Sequence, residues 1–189
     1  MTVRPILSIG HPTLRVRATE VTREDIATPA IQGLIDDLID TMRHANGSGI
    51  AANQIGEPVR IMVMEVDRNP RYPYKPPIPL TVAVNPRFEP LDDETVTINE
   101  GCLSVPLRGE LVRSVNLRVS YTDRHGAYHE RFLRGLTAGT YQHECDHLDG
   151  VLVVDRIDSR TLSTWEQFDR YHRDAFVRRI TKFVAEVGS

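Results

Sequence analysis

The feature that most constrains this chain is a pair of histidines four residues apart, His143 and His147, with Glu144 beside the first of them. Residues four apart lie on the same face of an α-helix, one turn from each other. On a helix, both imidazoles can therefore bind one metal ion while the carboxylate of Glu144 lies next to it as a potential general base. The pattern predicts a metal-binding helix and indicates hydrolysis by a water molecule that the metal activates.

Length and composition favour one domain and exclude several classes of protein. The chain has 189 residues, 40% of them apolar, and a net charge of -3, which suits a compact unit with a real core. The near-neutral charge offers no basic surface for nucleic acid or membrane, and no apolar run approaches the roughly 20 residues of a membrane span. The first residues lack the apolar stretch of a signal peptide, and two cysteines make no disulfide scaffold. We expect a single catalytic domain, residues 1–189, in the cytoplasm.

The hydrophobic pattern predicts an α+β fold. Apolar residues recur at helical spacing over residues 30–44, where Thr28 is a plausible N-cap and Pro29 occupies the first turn. Strands are predicted over residues 59–66, 82–85, 111–121 and 128–133. Five prolines within residues 69–79 predict an ordered surface loop.

Two further helices complete this predicted fold. One carries both histidines and ends near Gly150. Apolar residues at helical spacing over residues 161–187 predict a C-terminal helix that covers the core. We therefore expect small antiparallel or mixed sheets packed around a central metal-binding helix, with an N-terminal helix and a C-terminal helix.

A catalytic metal site usually has three protein ligands and an open position for water. Cys102 is the conspicuous candidate for the third ligand, because it lies in a Glu-Gly-Cys-Leu-Ser turn between strand-like segments. Cys145 lies two residues from each histidine, about 200° around the helix from either one, and so points to the opposite face. We expect Cys145 to be a small buried hydrophobic residue.

A glycine-rich segment, residues 47–54, follows the first helix with the sequence Gly-Ser-Gly-Ile-Ala-Ala-Asn-Gln. Its glycines permit positive φ or a close approach of the backbone to a ligand. Its last residue, Gln54, carries an amide that can donate to an oxyanion. Alone the segment is weak evidence, since such a stretch often only ends a helix, and it contains no phosphate-binding sequence.

Together, in this order, the three segments resemble the motifs of the peptide deformylase family. That family carries Gly-x-Gly-φ-Ala-Ala-x-Gln, Glu-Gly-Cys-Leu-Ser and Gln-His-Glu-x-Asp-His, where φ is apolar. The matching residues here are 47–54, 100–104 and 142–147. The resemblance extends from about residue 6 to residue 157. The His-Glu-x-x-His pattern alone fits any zincin, and the cysteine motif upstream of it makes the assignment specific.

The resemblance implies a metal centre. Cys102, His143 and His147 would hold one divalent ion, with water as the fourth ligand. In this family the physiological ion is typically Fe²⁺, and Zn²⁺, Ni²⁺ or Co²⁺ can occupy the site. A thiolate ligand together with Fe²⁺ predicts sensitivity to oxygen and peroxide.

The resemblance also implies the reaction. Glu144 would take a proton from the metal-bound water, the nucleophile, and later deliver it to the departing amine. Gln54 and the backbone N–H of Leu103 would stabilise the oxyanion. The substrate would be the N-formyl group of formyl-methionine on newly made polypeptides, released as formate. Contact of the C-terminal helix with the ribosome or with a second copy of the chain is an alternative to its packing on the core.

Two departures from the family motifs concern specificity and packing. The resemblance assigns substrate binding to Gly47, Gly49 and Ile50. Family members often have larger apolar residues in the methionine pocket at three positions, which here are Ser48, Gly139 and Thr140. We therefore expect a wider or more polar pocket, or one lined by other residues such as Ile50, Leu136 and Tyr141. The usual Val-Pro-Arg after the cysteine motif is Val-Arg-Ser at residues 112–114, so we expect an ion pair of the relatives to be missing or shifted.

Two other functions are compatible with parts of the sequence. A zinc metallopeptidase that cuts internal peptide bonds would explain His-Glu-x-x-His, although zincins commonly use a carboxylate or histidine where this chain offers Cys102. A structural metal site without catalysis would need a fourth protein ligand. The sequence offers no convincing fourth ligand among the other histidines considered: His44, His125, His129 and His172.

Overall fold

The structure is a computed structural model that describes residues 2–67, 69 and 71–188. The α-helices in these residues are α1 (Arg23–Ile26), α2 (Pro29–His44), α3 (Gly135–Leu148), α4 (Trp165–Tyr171) and α5 (Arg173–Val187). The strands are β1 (Gly49–Ala51), β2 (Ile61–Val66), β3 (Ile78–Pro90), β4 (Thr95–Gly101), β5 (Leu107–Ser114), β6 (Asn116–Thr122), β7 (Tyr128–Arg134) and β8 (Ser163–Thr164). Short 3-10 helices cover Pro12–Arg15, Ala52–Ile55, Val153–Asp155 and Ser159–Thr161. The predicted α+β fold is confirmed.

The strands form two antiparallel sheets. One has five strands in the order β1-β2-β3-β6-β7, and the other has three in the order β4-β5-β8. The prediction of one strand over residues 111–121 is wrong, because the chain leaves the smaller sheet after β5 and enters the larger one at β6. Val115 makes the transition, where its buried backbone donates to Glu94 and accepts from Gly135. Strand β4 was not predicted from the sequence.

The five-stranded sheet is buried on both faces along β2. Along β2, the side chains of Ile61 and Val63 pack with helix α2, and those of Met62 and Met64 pack with helix α3. This alternation follows from the two-residue period of a strand. Helix α2 begins as predicted after Thr28, whose hydroxyl accepts from the Ile31 N–H. The larger sheet therefore lies between the N-terminal helix and the central helix.

Helix α3 lies in the interior, and 12 of its 14 residues are buried. Tyr141, Cys145 and Leu148 pack on the five-stranded sheet, while Leu136 packs with the C-terminal helices. The prediction that Cys145 is a small buried hydrophobic residue is confirmed, and burial raises the pKa of its thiol. Because the helix is buried nearly all round, its polar side chains require partners inside the protein.

Arg113 of strand β5 supplies one of those partners and also pairs with Glu100 of β4. It donates from Nε and Nη2 to both oxygens of Glu100, at 3.0 and 2.9 Å, and from Nη1 to Asp146 on α3 at 2.6 Å. The expectation of a missing ion pair is therefore wrong, because Arg113 itself makes the pair. Arg156 completes the partners of Asp146 with two further hydrogen bonds. The smaller sheet is thus tied to the central helix by buried charge.

The C-terminal segment is not the single helix predicted over residues 161–187. It contains β8, α4 and α5, and the two helices are separated at His172, where φ is -120° and ψ is -24°. Its predicted packing on the core is confirmed, since Phe168, Phe176 and Ile180 are buried with Ile98. Among the described residues, no helix is both long and apolar enough to cross a membrane.

Phe176→Ala tests how much this segment contributes to stability. Removal of the buried ring is expected to lower the free energy of unfolding by about 3–5 kcal/mol, from lost transfer energy and the cavity left behind. Urea unfolding followed by circular dichroism measures the change. Phe132→Ala is the matched control because 68% of Phe132 is exposed, against 5% of Phe176. Equal effects of the two substitutions would contradict the buried position of Phe176.

Arg113→Met tests the buried ion pairs. The variant leaves Glu100 without its guanidinium and Asp146 with only Arg156, so we expect a loss of about 3–5 kcal/mol in unfolding free energy. Arg118→Met is the control, because the ion pair of Arg118 with Glu89 is half exposed and should contribute about 1 kcal/mol or less. An Arg113→Met variant as stable as Arg118→Met would show that the buried network contributes little.

Candidate active site

Cys102, His143 and His147 come together as a possible metal centre. Cys102 lies in the turn after β4, while both histidines project from α3. One ligand atom from each residue lies within 4.8 Å of the other two, and Cys102 Sγ is 3.2 Å from His147 Nε2. Sulfur and nitrogen ligands that share one ion at about 2.3 and 2.1 Å are separated by similar distances. The three predicted ligands therefore lie where a single ion can contact all of them.

Charged neighbours set the orientation of the His143 ring and the protonation of the Cys102 thiol. His143 Nδ1 is 2.9 Å from Glu100 Oε2, which leaves Nε2 of the same ring available for a metal. Burial alone raises the pKa of the Cys102 thiol, but His147 and His143 hold it well below its usual range. The pKa of the Glu100 carboxyl group is also below its usual range. Burial raises this pKa, but the neighbouring Arg113 and His143 lower it by more. These directions favour a thiolate, the form of cysteine that binds metals.

Glu144 lies beside the three ligands and is almost fully buried. Burial raises the pKa of its carboxyl group, and Oε2 has no hydrogen-bond partner among the described residues. Such an atom requires water or a ligand as its partner. A Cβ atom on Gly49 would lie 2.4 Å from Glu144 Oε1, so only glycine allows the β1 backbone this close to the carboxylate.

The donor set fits a divalent ion. A thiolate and two imidazoles are the ligand types that suit Zn²⁺ and iron, and three protein ligands leave a further position open. His143 already has the carboxylate partner that metal-binding histidines commonly have. Glu144 lines the same cavity as Cys102 and His143.

Gln54 and Leu103 are the next neighbours of Cys102. Gln54 Oε1 accepts from the Ala51 N–H at 2.9 Å, and its Nε2 donates to Ser104 Oγ at 3.0 Å and contacts Cys102 Sγ at 3.8 Å. The amide is therefore held with its NH₂ group toward the cysteine. Leu103 lines the cavity next to it.

The predicted substrate-binding residues are placed differently from one another. Gly47 and Gly49 line the cavity. Ile50 does not, because its side chain is fully buried in the core with α2. Strand β1 is the outermost strand of its sheet and pairs with β2 alone among the described strands. Any contact of Ile50 with a ligand is therefore made by its backbone.

Three residues of the cavity that were not predicted from the sequence come from the proline-rich loop: Tyr72, Tyr74 and Lys75. This loop precedes β3, and its Pro70 lies outside the described residues. Lys75 Nζ donates to Ser48 Oγ at 2.8 Å and to Thr140 Oγ1 at 2.9 Å. Burial lowers the pKa of Lys75 to about 8. Only composition could have drawn attention to Lys75 in the sequence, because the chain contains just two lysines, Lys75 and Lys182.

Comparisons with known proteins agree with this site. The polypeptide deformylase family profile matches residues 3–163. Peptide deformylase 2 of Nostoc sp. is 43% identical over 164 residues, which cover 86% of this chain and 90% of the relative. Peptide deformylase 1 of Bordetella pertussis is 45% identical over 160 residues, which cover 84% and 90%.

Solved structures give the same result. The Met-Ala-Ser-bound class I type b peptide deformylase from Acinetobacter baumannii has a TM-score of 0.79 and 36% identity, covering 82% of this chain and 99% of that one. Peptide deformylase from Thermotoga maritima has a TM-score of 0.73 and 36% identity, covering 84% and 99%. The chain described here therefore belongs to the polypeptide deformylase family.

Proposed function

We propose that this enzyme removes the N-formyl group from the formyl-methionine of newly made polypeptides, with Glu144 as general base and acid, and releases formate. Membership of the family supports the reaction. The observation that carries the assignment of residues is the buried Glu144, which lines the same cavity as Cys102 and His143 and whose Oε2 has no hydrogen-bond partner among the described residues. The proposal includes a single catalytic domain over the whole chain and a cytoplasmic location, where new polypeptides are made.

The family is metal-dependent, and the proposed ligands are Cys102, His143 and His147. A divalent ion held there supplies a Lewis acid and lowers the pKa of water that it binds. We propose Fe²⁺ as the ion in the cell, with Zn²⁺, Ni²⁺ or Co²⁺ as substitutes. Glu100 orients His143 through the hydrogen bond to Nδ1, and Arg113 in turn holds Glu100.

Glu144 is proposed to move the proton. Its Oε2 takes a proton from the attacking water, whose oxygen forms the new bond to the formyl carbon. When the bond between that carbon and the amine nitrogen breaks, Glu144 returns the proton to the nitrogen, and formate and the free amine leave. Burial raises the pKa of this carboxyl group, which brings it closer to neutrality and suits both steps.

Gln54 and the Leu103 backbone N–H are proposed to stabilise the oxyanion that forms at the formyl group. Gln54 suits this role because Ala51 and Ser104 fix its amide, so no reorientation is needed as charge develops. Gly47, Gly49 and the backbone of Ile50 are proposed to bind the peptide along the outer edge of β1. A peptide added to a sheet edge gains main-chain hydrogen bonds whatever its side chains.

Glu144→Gln tests the general base. Formate release from formyl-Met-Ala-Ser is expected to fall by about 10²–10⁴-fold, because the amide cannot accept the proton. The metal content should stay at the level of the unmodified enzyme. The control is Glu186→Gln, which alters an exposed carboxylate on α5. A Glu144→Gln variant that kept both its metal and its full rate would rule out this role for Glu144.

Cys102→Ser tests the metal ligands, and Cys145→Ser is the matched control because these are the only two cysteines. After anaerobic purification, elemental analysis is expected to find about one divalent ion per chain in the unmodified enzyme and in Cys145→Ser. Cys102→Ser should retain much less, because a hydroxyl is a poorer ligand than a thiolate. An unchanged metal content in Cys102→Ser would remove this residue from the ligand set.

A further inference from the structure

Lys75 brings an amino group into the cavity that Cys102, His143 and Glu144 line. Its Nζ donates to Ser48 Oγ and Thr140 Oγ1. The Thr140 hydroxyl donates its own proton to the Leu136 carbonyl at 3.0 Å, so toward Lys75 its oxygen acts only as an acceptor. The amino group is therefore bound at a defined position in the cavity.

The loop that carries Lys75 is held at several points. Asn69 donates from Nδ2 to the backbone oxygens of Asn46 and Gly47, each at 3.1 Å. The ring of Tyr74 packs edge-on against Phe176 of α5, with 5.3 Å between ring centroids. Lys75 is thus fixed by contacts from both sides of the cavity and is not a surface lysine that happens to fold inward.

The hydrogen bonds of Lys75 are incomplete. An ammonium has three N–H donors, and within residues 2–67, 69 and 71–188 its oxygen partners are two neutral hydroxyls. Nζ also lies 4.9 Å from the centroid of the Tyr72 ring, and the charges of Glu100 and Glu144 act on it without a direct hydrogen bond. One N–H of the ammonium is therefore left without an oxygen acceptor among these residues, so a ligand that adds an acceptor atom gains a hydrogen bond to a charged donor.

The rest of the cavity wall beyond the glycine segment is partly apolar. Ile98, Leu103 and Leu136 line it, and a Cβ atom on Gly139 would come within 3.1 Å of Ile98 Cδ1. This apolar wall leads to the amino group of Lys75. It therefore fits a side chain that is unbranched near the backbone and carries an acceptor atom further out. The thioether of methionine has the right shape but only a weak acceptor sulfur.

We infer that Lys75 is a specificity-determining residue, which favours substrates whose first side chain is unbranched through Cγ, has the length of methionine, and carries an acceptor oxygen on its δ atom. Methionine sulfoxide and glutamine have this chemistry. The inference rests on the proposed function, because it requires the formyl group at the Cys102 centre and the first side chain in the remainder of the cavity.

A substrate series tests the inference. The metal-loaded enzyme is assayed for kcat/KM on formyl-X-Ala-Ser, where X is norleucine, methionine, methionine sulfoxide or glutamine. Norleucine has the length of methionine without any acceptor. We expect methionine sulfoxide and glutamine to exceed norleucine by roughly tenfold or more, the effect of one hydrogen bond to a charged donor. The relative rates of the two oxygen-bearing substrates distinguish oxidised methionine from an amide as the better ligand.

Lys75→Met and Lys182→Met form a matched pair, because they replace the two lysines of the chain and Lys182 is largely exposed. Lys75→Met is expected to reverse the preference in favour of norleucine, and Lys182→Met to leave it unchanged. Calorimetric binding of the deformylated X-Ala-Ser peptides should follow the same order, which separates side-chain recognition from turnover.

Three outcomes would overturn the inference. The first is a preference of the unmodified enzyme for norleucine, and the second is a preference for methionine sulfoxide that survives in Lys75→Met. The third is an equal rise of kcat/KM on all substrates in Lys75→Met, which would show that Lys75 only obstructs the cavity. Because the unmodified enzyme alone can give the first outcome, the test does not depend on folding of the variant. Absence of formate release from every substrate would instead contradict the proposed function.

Discussion

The buried ion pairs of Arg113 are the interaction on which the rest of the site depends. One guanidinium contacts Glu100, which orients His143, and also Asp146, which lies on the same helix as both histidines. Without this charge, two carboxylates would be buried close together in the interior. The smaller sheet, the central helix and the proposed metal ligands are therefore positioned together. A change in the packing of one sheet would be transmitted to the distance between the cysteine and the histidines.

Sequence periodicity predicted the helices better than the strands, for a physical reason. Helix α2 has one buried face, so its apolar residues repeat at helical spacing and Thr28 marks its beginning. The change of sheet at Val115 leaves no comparable signal, because β5 and β6 are both buried strands and no turn sequence separates them. The helix that carries the histidines is buried nearly all round, and many of its buried residues are polar, so its sequence shows no clear division into an apolar and a polar face. Its motif, not its amphipathicity, made it predictable.

The candidate site was predictable only where chemistry restricts residue type. The metal ligands, Glu144 and the glycine that makes room for it lie in three short motifs, because each position tolerates few substitutions in geometry or charge. Lys75 carries no such signature. Its loop looked like an ordered surface connection, and only the fold brings its amino group to Ser48 and Thr140. Residues that shape a pocket act through tertiary contacts, so their roles are not encoded in local spacing.

The C-terminal helices connect these observations. The family match ends at residue 163, just before α4, so the segment that packs on the cavity loop lies beyond the matched region. Phe176 contacts Tyr74, and the Trp165 ring lies 4.2 Å from the guanidinium of Arg71. A Cβ atom on Gly101 would collide with the same Trp165 ring, so α4 also packs directly against the residue before Cys102. The loop that carries Lys75 and the turn that carries the cysteine are therefore held by one segment. Because that segment fixes both, the shape of the side-chain pocket and the position of the metal ligand cannot vary independently in this chain.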